Sequence, residues 1–488
     1  MITFLIGMAI LVVGGVLYGA YIDKMFGADD RKTPAVTMND GVDFVPMNKW
    51  KNGLIQLLNI AGTGPILGPI AGILFGPIAF IAIPVGCVLG GAVHDYLSGM
   101  ISIRENGAQM PVLTKKYLGK FTFQVYNFFL WLLMLLVGAV FIYTPGDLIV
   151  TQIFKQESVA SNPIVWIVYA GIFVYYLVAT LFPIDKIIGK VYPIFGGILL
   201  LSAVGVFFGL FAKGYQLDNL TASNWMGVHP EGLPLIPVFF VTVACGIVSG
   251  FHSTQSTLIA RSVSSEREGK FTFFYMMLLE GFIAMIWAAA AMGIYHIIGL
   301  DADGVGGPKI IGMVAKDLLG PIGGMIAVIG VIVLPITSGD TALRSLRLMV
   351  ADYLNIDQKP YRNRLMVSAV IFALAAGILV FAKVSAGGFQ LLWRYFAWSN
   401  QTIAVFAFAI MAVYLMKEGK NFLVALIPGT FYMFIISSFI LNAKIGFRLP
   451  INTAYIVGGV LTALYVLMVY KTGLKMKSST RLQSSLTK

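Results

Sequence analysis

Apolar runs of membrane-spanning length, separated by short polar or basic loops, recur along the whole chain. A helix rises about 1.5 Å per residue, so crossing a hydrocarbon core of about 30 Å takes about 20 mostly apolar residues. Residues 2–22, 66–92, 123–143, 164–182, 191–212, 234–259, 271–298, 320–342, 365–381, 400–416, 421–440 and 453–470 meet or approach that length. The pattern predicts an all-α, polytopic membrane protein with about 12 transmembrane helices, some of them broken, forming one domain over residues 1–488. No basic segment precedes the 2–22 run and no small-residue cleavage motif follows it. It therefore reads as a retained helix and not as a cleaved signal.

Two regions interrupt the helical pattern. No charged residue or histidine falls between Lys51 and His94, and those 42 residues as one helix would run about 63 Å. Gly62, Thr63, Gly64, Pro65, Gly68 and Pro69 mark where the run must break, with two Gly-Pro steps within six residues. Residues 54–62 are then a half-helix, a re-entrant piece or an interfacial helix. The second irregular region runs from Gly306-Gly307-Pro308 through Gly320-Pro321 and Gly323-Gly324 to Pro335. Glycine and proline can merely kink a membrane helix, and for Pro84 and Pro237 that bland reading suffices. Irregular backbone at membrane depth is tolerated only where protein buries it or it lines a cavity. In secondary transporters such breaks free backbone groups and helix ends to bind substrate or ions. Gly62, Thr63, Gly64 and Pro65 are accordingly candidate substrate-binding residues. GKFTF occurs at 119–123 and 269–273, each time entering a helix with the same polarity. That favours a parallel relationship over an inverted one.

Few ionisable groups fall inside the apolar runs. Glu280 lies ten residues into 271–298 with MMLL before it and GFIAMIW after it. A carboxyl group there suits a proton carrier, and the competing reading is a single interhelical hydrogen bond. His252 stands in SGFHSTQST, residues 249–257. On a helix, His252, Gln255 and Ser256 share one face, extended by Ser249 and Ser253. The stripe reads as a substrate path or as a polar packing seam. His94 and Asp95 close the 66–92 run; adjacent residues do not share a helix face, so they need not pair. Asp340, in TSGDTALRSLR, sits one turn from Arg344, with Ser338 and Thr341 nearby. Carboxylate and hydroxyl oxygens suit a hard cation such as Na⁺, and they equally suit a network at an inner gate. Glu280, Asp340, His94 and Asp95 are the candidate proton- or ion-coupling residues.

Charge sets the orientation and narrows the function. Of 488 residues, 11% are charged and 58% apolar, and the formal net charge is +12. The basic residues cluster in alternate loops: Arg104, Lys115, Lys116 and Lys120; Arg261, Arg267 and Lys270; Arg344, Arg347, Lys359, Arg362 and Arg364; and Lys471, Lys475, Lys477, Arg481 and Lys488. That alternation fits the positive-inside rule and removes nucleic acid as the explanation of the charge. It predicts both termini in the cytoplasm, the 23–53 loop outside, a basic cytoplasmic loop at 343–364 and a basic cytoplasmic tail at 471–488. Two cysteines and 4 histidines exclude a disulfide framework, an iron–sulfur site and a multi-haem carrier. Cys87 and Cys245 read as small buried hydrophobes. No Walker A sequence, H-E-x-x-H or serine elbow is present, so the expectation is no enzyme, no metal and no cofactor.

Taken together, GTGPILGP at 62–69, GGAVHDYLSGMISIRENGAQMP at 90–111, SGFHSTQSTLIAR at 249–261 and TSGDTALRSLRL at 337–348 resemble the carbon starvation protein A family, in the family's order. The length resembles its shorter members. The resemblance implies a cytoplasmic-membrane transporter associated with peptide uptake during carbon starvation, some members being similar to pyruvate–proton symporters. It also implies a core like that of the amino acid–polyamine–organocation (LeuT-like) superfamily, built as a five-plus-five inverted repeat. The expected function is a proton-coupled secondary transporter of small peptides or a small carboxylate such as pyruvate. The alternatives are a Na⁺-coupled carrier of the same substrates and a channel or membrane sensor of starvation. The expected partners are that substrate, H⁺ or Na⁺, and the lipid bilayer; substrate, coupling ion and oligomeric state stay open.

Overall fold

The structure is a computed structural model that describes residues 1–41, 43–181, 185–227, 229–299, 307–358 and 360–486. Gly306, Lys359 and Lys488 lie outside them. Nine helices among the described residues are long and apolar enough to cross a membrane alone. They are α1 (Ile2–Phe26), α4 (Ala79–Arg104), α5 (Met110–Ile153), α10 (Glu266–Ile298), α11 (Lys309–Tyr353), α12 (Tyr361–Val384), α13 (Gly388–Lys417), α14 (Leu423–Asn442) and α15 (Ile451–Leu486). A tenth crossing is the bent pair α2 (Lys49–Ile60) and α3 (Gly64–Phe75), whose halves meet at 49°. The shorter helices α6 (Pro163–Leu181) and α7 (Asp185–Ala212), and a second interrupted stretch, α8 (235–247) and α9 (Gly250–Ile259), run between the same two ends. The described chain thus traverses the bundle thirteen times.

The extra crossing comes from the 66–92 run. Asn48 caps α2 by accepting the Lys51 N–H at 2.9 Å, and the Gly-Pro pair breaks it from α3 at the predicted place. Gly76, at φ 88°, then turns the chain before Pro77. Few residues other than glycine adopt that angle, and α4 starts as a separate helix. The second break also lies away from the expected one. Gly320, at φ 72°, bends α11, but the helix continues through Pro335. The true interruption is inside the predicted continuous span 234–259: Gly246 has φ 96°, and Val248 and Ser249 are extended. No Gly-Pro step marks that place, so local sequence gives little sign of it.

The broken pairs are the second and seventh crossings and run in opposite directions, as an inverted five-plus-five arrangement requires. The GKFTF copies lie near the starts of the fourth and eighth crossings, the first of them at a kink within α5 where Gly119 has φ 88°, and these crossings are not equivalent in that arrangement.

Contacts sort the loops into two ends and correct the expected sidedness. Asn52 Nδ2 donates to the Ser262 carbonyl at 3.0 Å and Arg267 pairs with Asp30 at 2.5 Å. Arg261 Nε donates to the Gly107 carbonyl at 3.0 Å, and Lys420 reaches the Phe26 carbonyl. The 23–53 loop therefore lies at the same end as the basic 100–122 and 260–270 loops, and cannot face the opposite side of a membrane from them. Its own Lys24, Arg31, Lys32, Lys49 and Lys51 join theirs. Tyr470 lies at this end too, its ring 6.3 Å from Phe422. The Met1 amino group instead donates to the Leu217 carbonyl at 2.6 Å, at the far end of α1. The two termini are thus at opposite ends, as an odd number of crossings demands, and not on one side.

Candidate functional site

The two breaks face each other in the middle of the bundle. A Cβ on Gly64 would come within 2.7 Å of Cys245 Sγ and closer still to its Cβ, and one on Gly68 would lie 3.2 Å from the Thr242 carbonyl. Only glycine lets α3 sit this close to α8. Beside this contact is a small cavity of about 20 Å³, enough for about one water. Asn59, Gly62 and Gly64 line it from α2 and α3, Ser249 and His252 from the α8–α9 break, Ser338 from α11, and Phe396 and Asn400 from α13. The half-helices α3 and α9 both begin here, so the positive ends of two helix dipoles converge on one place.

Asn400 holds the second break in shape. Its Oδ1 accepts the Phe251 N–H at 2.8 Å and the Ser249 hydroxyl lies 3.2 Å away, while its Nδ2 lies 2.9 Å from Ser249 Oγ. One amide side chain thereby satisfies groups that the missing helical turn leaves free. Gln401 Nε2 donates to the Phe240 carbonyl on the same element. The sequence reading missed both residues. The available signal was the polar run Ser399-Asn400-Gln401-Thr402 inside an otherwise apolar helix.

Next to the cavity are four buried ionisable side chains from three helices. His94 and Asp95 come from the middle of α4, His252 from α9 and Glu280 from α10. His94 Nδ1 is 2.9 Å from Asp95 Oδ1, so these neighbours pair although helix geometry does not require it. His252 Nδ1 lies 3.2 Å from Asp95 Oδ2 and 3.5 Å from Glu280 Oε2. The 3.2 Å approach is close but not aligned as a hydrogen bond, and both Glu280 oxygens lack a hydrogen-bond partner. Glu280 is therefore not isolated among apolar groups. It is one end of a continuous chain, Glu280–His252–Asp95–His94. His252 also borders the cavity, the single member of the cluster to do so.

The remaining candidates separate from this cluster. Asp340 is on α11, where its carboxylate accepts from the Tyr175 hydroxyl at 2.8 Å and the Thr341 hydroxyl at 3.0 Å. The Ser253 hydroxyl turns back to the Gly250 carbonyl at 2.6 Å. Gln255 Nε2 reaches only Thr254 Oγ1, at 3.3 Å, and Ser256 Oγ accepts from Gln56 Nε2 at 3.0 Å. None of these three lines the cavity. Thr63 is buried with its hydroxyl unpartnered, and Pro65 packs beside Gly246. A second buried ion pair, also unforeseen, lies towards the far end. Lys383 Nζ contacts Asp147 Oδ1 at 2.9 Å, and Ser158 supplies its carbonyl and hydroxyl at 2.7 and 2.8 Å.

Comparison with known proteins bears on the family and on the fold. The model of the family described as carbon starvation protein CstA matches residues 1–192, 146–307 and 304–438. The chain is 25% identical over 538 aligned residues to a Bacillus subtilis protein named peptide transporter CstA, covering 86% of each. It is 26% identical over 357 residues to the Escherichia coli protein named pyruvate/proton symporter BtsT, covering 59% of this chain and 49% of that one. Among solved structures, an Eremococcus coleocola manganese transporter superposes with a TM-score of 0.54, covering 90% of this chain and 98% of the other at 13% identity. At that identity the likeness concerns the fold.

Proposed function

The chain belongs to the carbon starvation protein CstA family, and on that premise we propose that it is a proton-coupled secondary transporter of a small carboxylate or short peptide. The names of its relatives, a peptide transporter and a pyruvate/proton symporter, supply the substrate class. The observation that carries the coupling is the position of His252, with one side on the cavity and the other on the two carboxylates.

The chemistry follows from burial. Two carboxylates facing one imidazole in a dry interior cannot both be charged without compensation, because uncompensated buried charge costs several kcal/mol. A proton on the cluster is the simplest compensation. It is held between Glu280, His252 and Asp95, and an anionic substrate arriving beside His252 favours its retention. When the substrate leaves, the proton loses that partner and leaves too. The substrate carboxylate is received by the N-terminal turns of α3 and α9, where helix dipoles favour negative charge. The cavity holds about one water, so this conformation is closed, and α3 and α9 must move apart from α11 and α13 to admit a substrate. The positive-inside rule places the basic end in the cytoplasm, with Met1 outside.

Purified protein in proteoliposomes tests the reading. Labelled pyruvate and labelled di- and tripeptides are supplied with imposed H⁺ or Na⁺ gradients separately. Accumulation of at least one compound under the H⁺ gradient is expected. Accumulation under Na⁺ alone overturns the proton coupling, and saturable binding without flux overturns transport.

A further inference from the structure

A second cavity lies above the central one, at the end opposite the basic loops. It measures about 30 Å³ as space for water centres, the size of a carboxylate group with a water. Its walls include Ala71 and Leu74 of α3, Thr242 of α8, and Gln390, Trp393 and Arg394 of α13. His229 and Glu231, from the loop after α7, close the top. The loop is seated: the His229 ring is 4.7 Å from the Phe75 ring, and His229 Nδ1 accepts the Glu231 N–H at 3.1 Å.

Arg394 is the unusual member. Its side chain is 22% exposed, and its carboxylate neighbour Glu231 is 3.9 Å away and itself 66% exposed. No hydrogen bond from its guanidinium is present among the described residues. Lys383, the other cation buried at this end, shows what a structural cation looks like here. It has a carboxylate, a carbonyl and a hydroxyl within 3.1 Å, and Tyr143 beneath its charge at 4.8 Å. A guanidinium with five donors, half sunk in a small cavity and weakly paired, is built for planar oxyanions.

The cavity's floor links it to the central site. Trp393 Nε1 is fixed to the Thr242 carbonyl at 3.0 Å. Its ring is 5.3 Å from Phe396, which lines the central cavity and lies 6.5 Å from Phe141. Two neighbouring aromatic side chains, one turn apart on α13, thus line one cavity each.

We propose that this outer cavity is a carboxylate-binding site on the substrate's route, in which Arg394 receives the carboxylate of pyruvate or of a peptide C-terminus and displaces the loosely held Glu231. Trp393 and Phe396 form the partition the substrate passes next. The proposal rests on the transport reading above and adds to it where, and through which group, the substrate is first held.

The test uses right-side-out proteoliposomes of wild type, Arg394→Gln, Arg394→Lys and Glu231→Gln. Influx and efflux of pyruvate and alanyl-alanine are measured separately, with alanyl-alanine amide as the control lacking a carboxylate. Arg394→Gln is expected to raise the influx KM at least about tenfold with the maximal rate within twofold, since a charge-assisted contact is lost. Arg394→Lys is expected to fall between, and Glu231→Gln to lower the influx KM. Efflux KM should stay at its wild-type value while the efflux maximal rate falls in step with influx Vmax/KM, as the common equilibrium requires, and unchanged amide influx shows that the variants fold. An influx KM within twofold of wild type in Arg394→Gln overturns the site, and so does an equal rise in influx and efflux KM. Calorimetry separates the two readings. A wild type that binds pyruvate or alanyl-alanine but moves neither refutes transport alone, and the site then stands or falls on whether Arg394→Gln weakens that binding at least about tenfold. No binding and no flux refutes both.

Discussion

Replacing Gly64 by alanine tests whether the contact between the two breaks controls the transport cycle. The added Cβ would lie within 2.7 Å of Cys245 Sγ and nearer to Cys245 Cβ. Carbon contacts are favourable at about 3.5–4.0 Å, so the segments must part by roughly 1 Å. They cannot part by sliding, because Gly68 is already fitted against the Thr242 carbonyl four residues further on. Overpacking of this kind costs about 1–3 kcal/mol. If only the closed conformation makes the contact, its population relative to an open one falls about 5- to 150-fold, at 1.4 kcal/mol per factor of ten. Equilibrium exchange of labelled substrate should slow accordingly, and the melting temperature should fall. A second substitution locates the clash. Cys245→Ala removes Sγ but leaves the closer Cβ, so Gly64→Ala/Cys245→Ala should stay impaired. Gly64→Ala/Cys245→Gly should recover most of the exchange rate. Wild-type exchange and stability in Gly64→Ala, or full rescue by Cys245→Ala, would refute the argument.

Three further outcomes follow from the packing. Single cysteines at Asp40 and Ser478 should react with an impermeant thiol reagent from one side of the membrane and a cysteine at Ser223 from the other, checked in a Cys-free background; labelling of positions 40 and 223 from the same side contradicts the fold. Asn400→Ala strips the Phe251 N–H and the Ser249 hydroxyl of their partner, and leaving buried groups unpaired should cost about 1–3 kcal/mol, read as a lower melting temperature. Glu266 is fully buried between Arg104, at 3.0 Å, and Arg31, at 3.4 Å. Glu266→Ala should destabilise by about 3 kcal/mol, and in a double-mutant cycle with Arg104→Ala the losses should fall short of additive by at least about 0.5 kcal/mol.

Much of the helical architecture was legible because lipid imposes length and apolarity on each crossing. The GTGPILGP break was legible because Pro65 cannot continue the helix that precedes it, although the second step, Gly68-Pro69, lies inside α3 and not in the break. The break at 245–250 was not, since isolated Gly246 and Gly250 are compatible with an ordinary helix and tertiary packing decides. Glu280 and His252 stood out by their burial cost. Their mutual contact, and that with His94 and Asp95, depends on α4, α9 and α10 meeting, which no local pattern reports. The sidedness of 23–53 was misjudged because that loop was counted from an assumed crossing number. Its own five basic residues pointed to the basic end. Gly64 was named as a candidate for substrate binding; what approaches its backbone in the structure is Cys245.

The central claim is that the Glu280–His252–Asp95 cluster carries the coupling proton. Glu280→Gln keeps the size and hydrogen-bonding ability of the side chain but cannot titrate. Wild type and Glu280→Gln are reconstituted together, and pH-gradient-driven accumulation and exchange at equal concentrations are measured on the same vesicles. The account predicts that exchange survives in the variant while gradient-driven accumulation disappears. Accumulation that persists in Glu280→Gln under the pH gradient would contradict it.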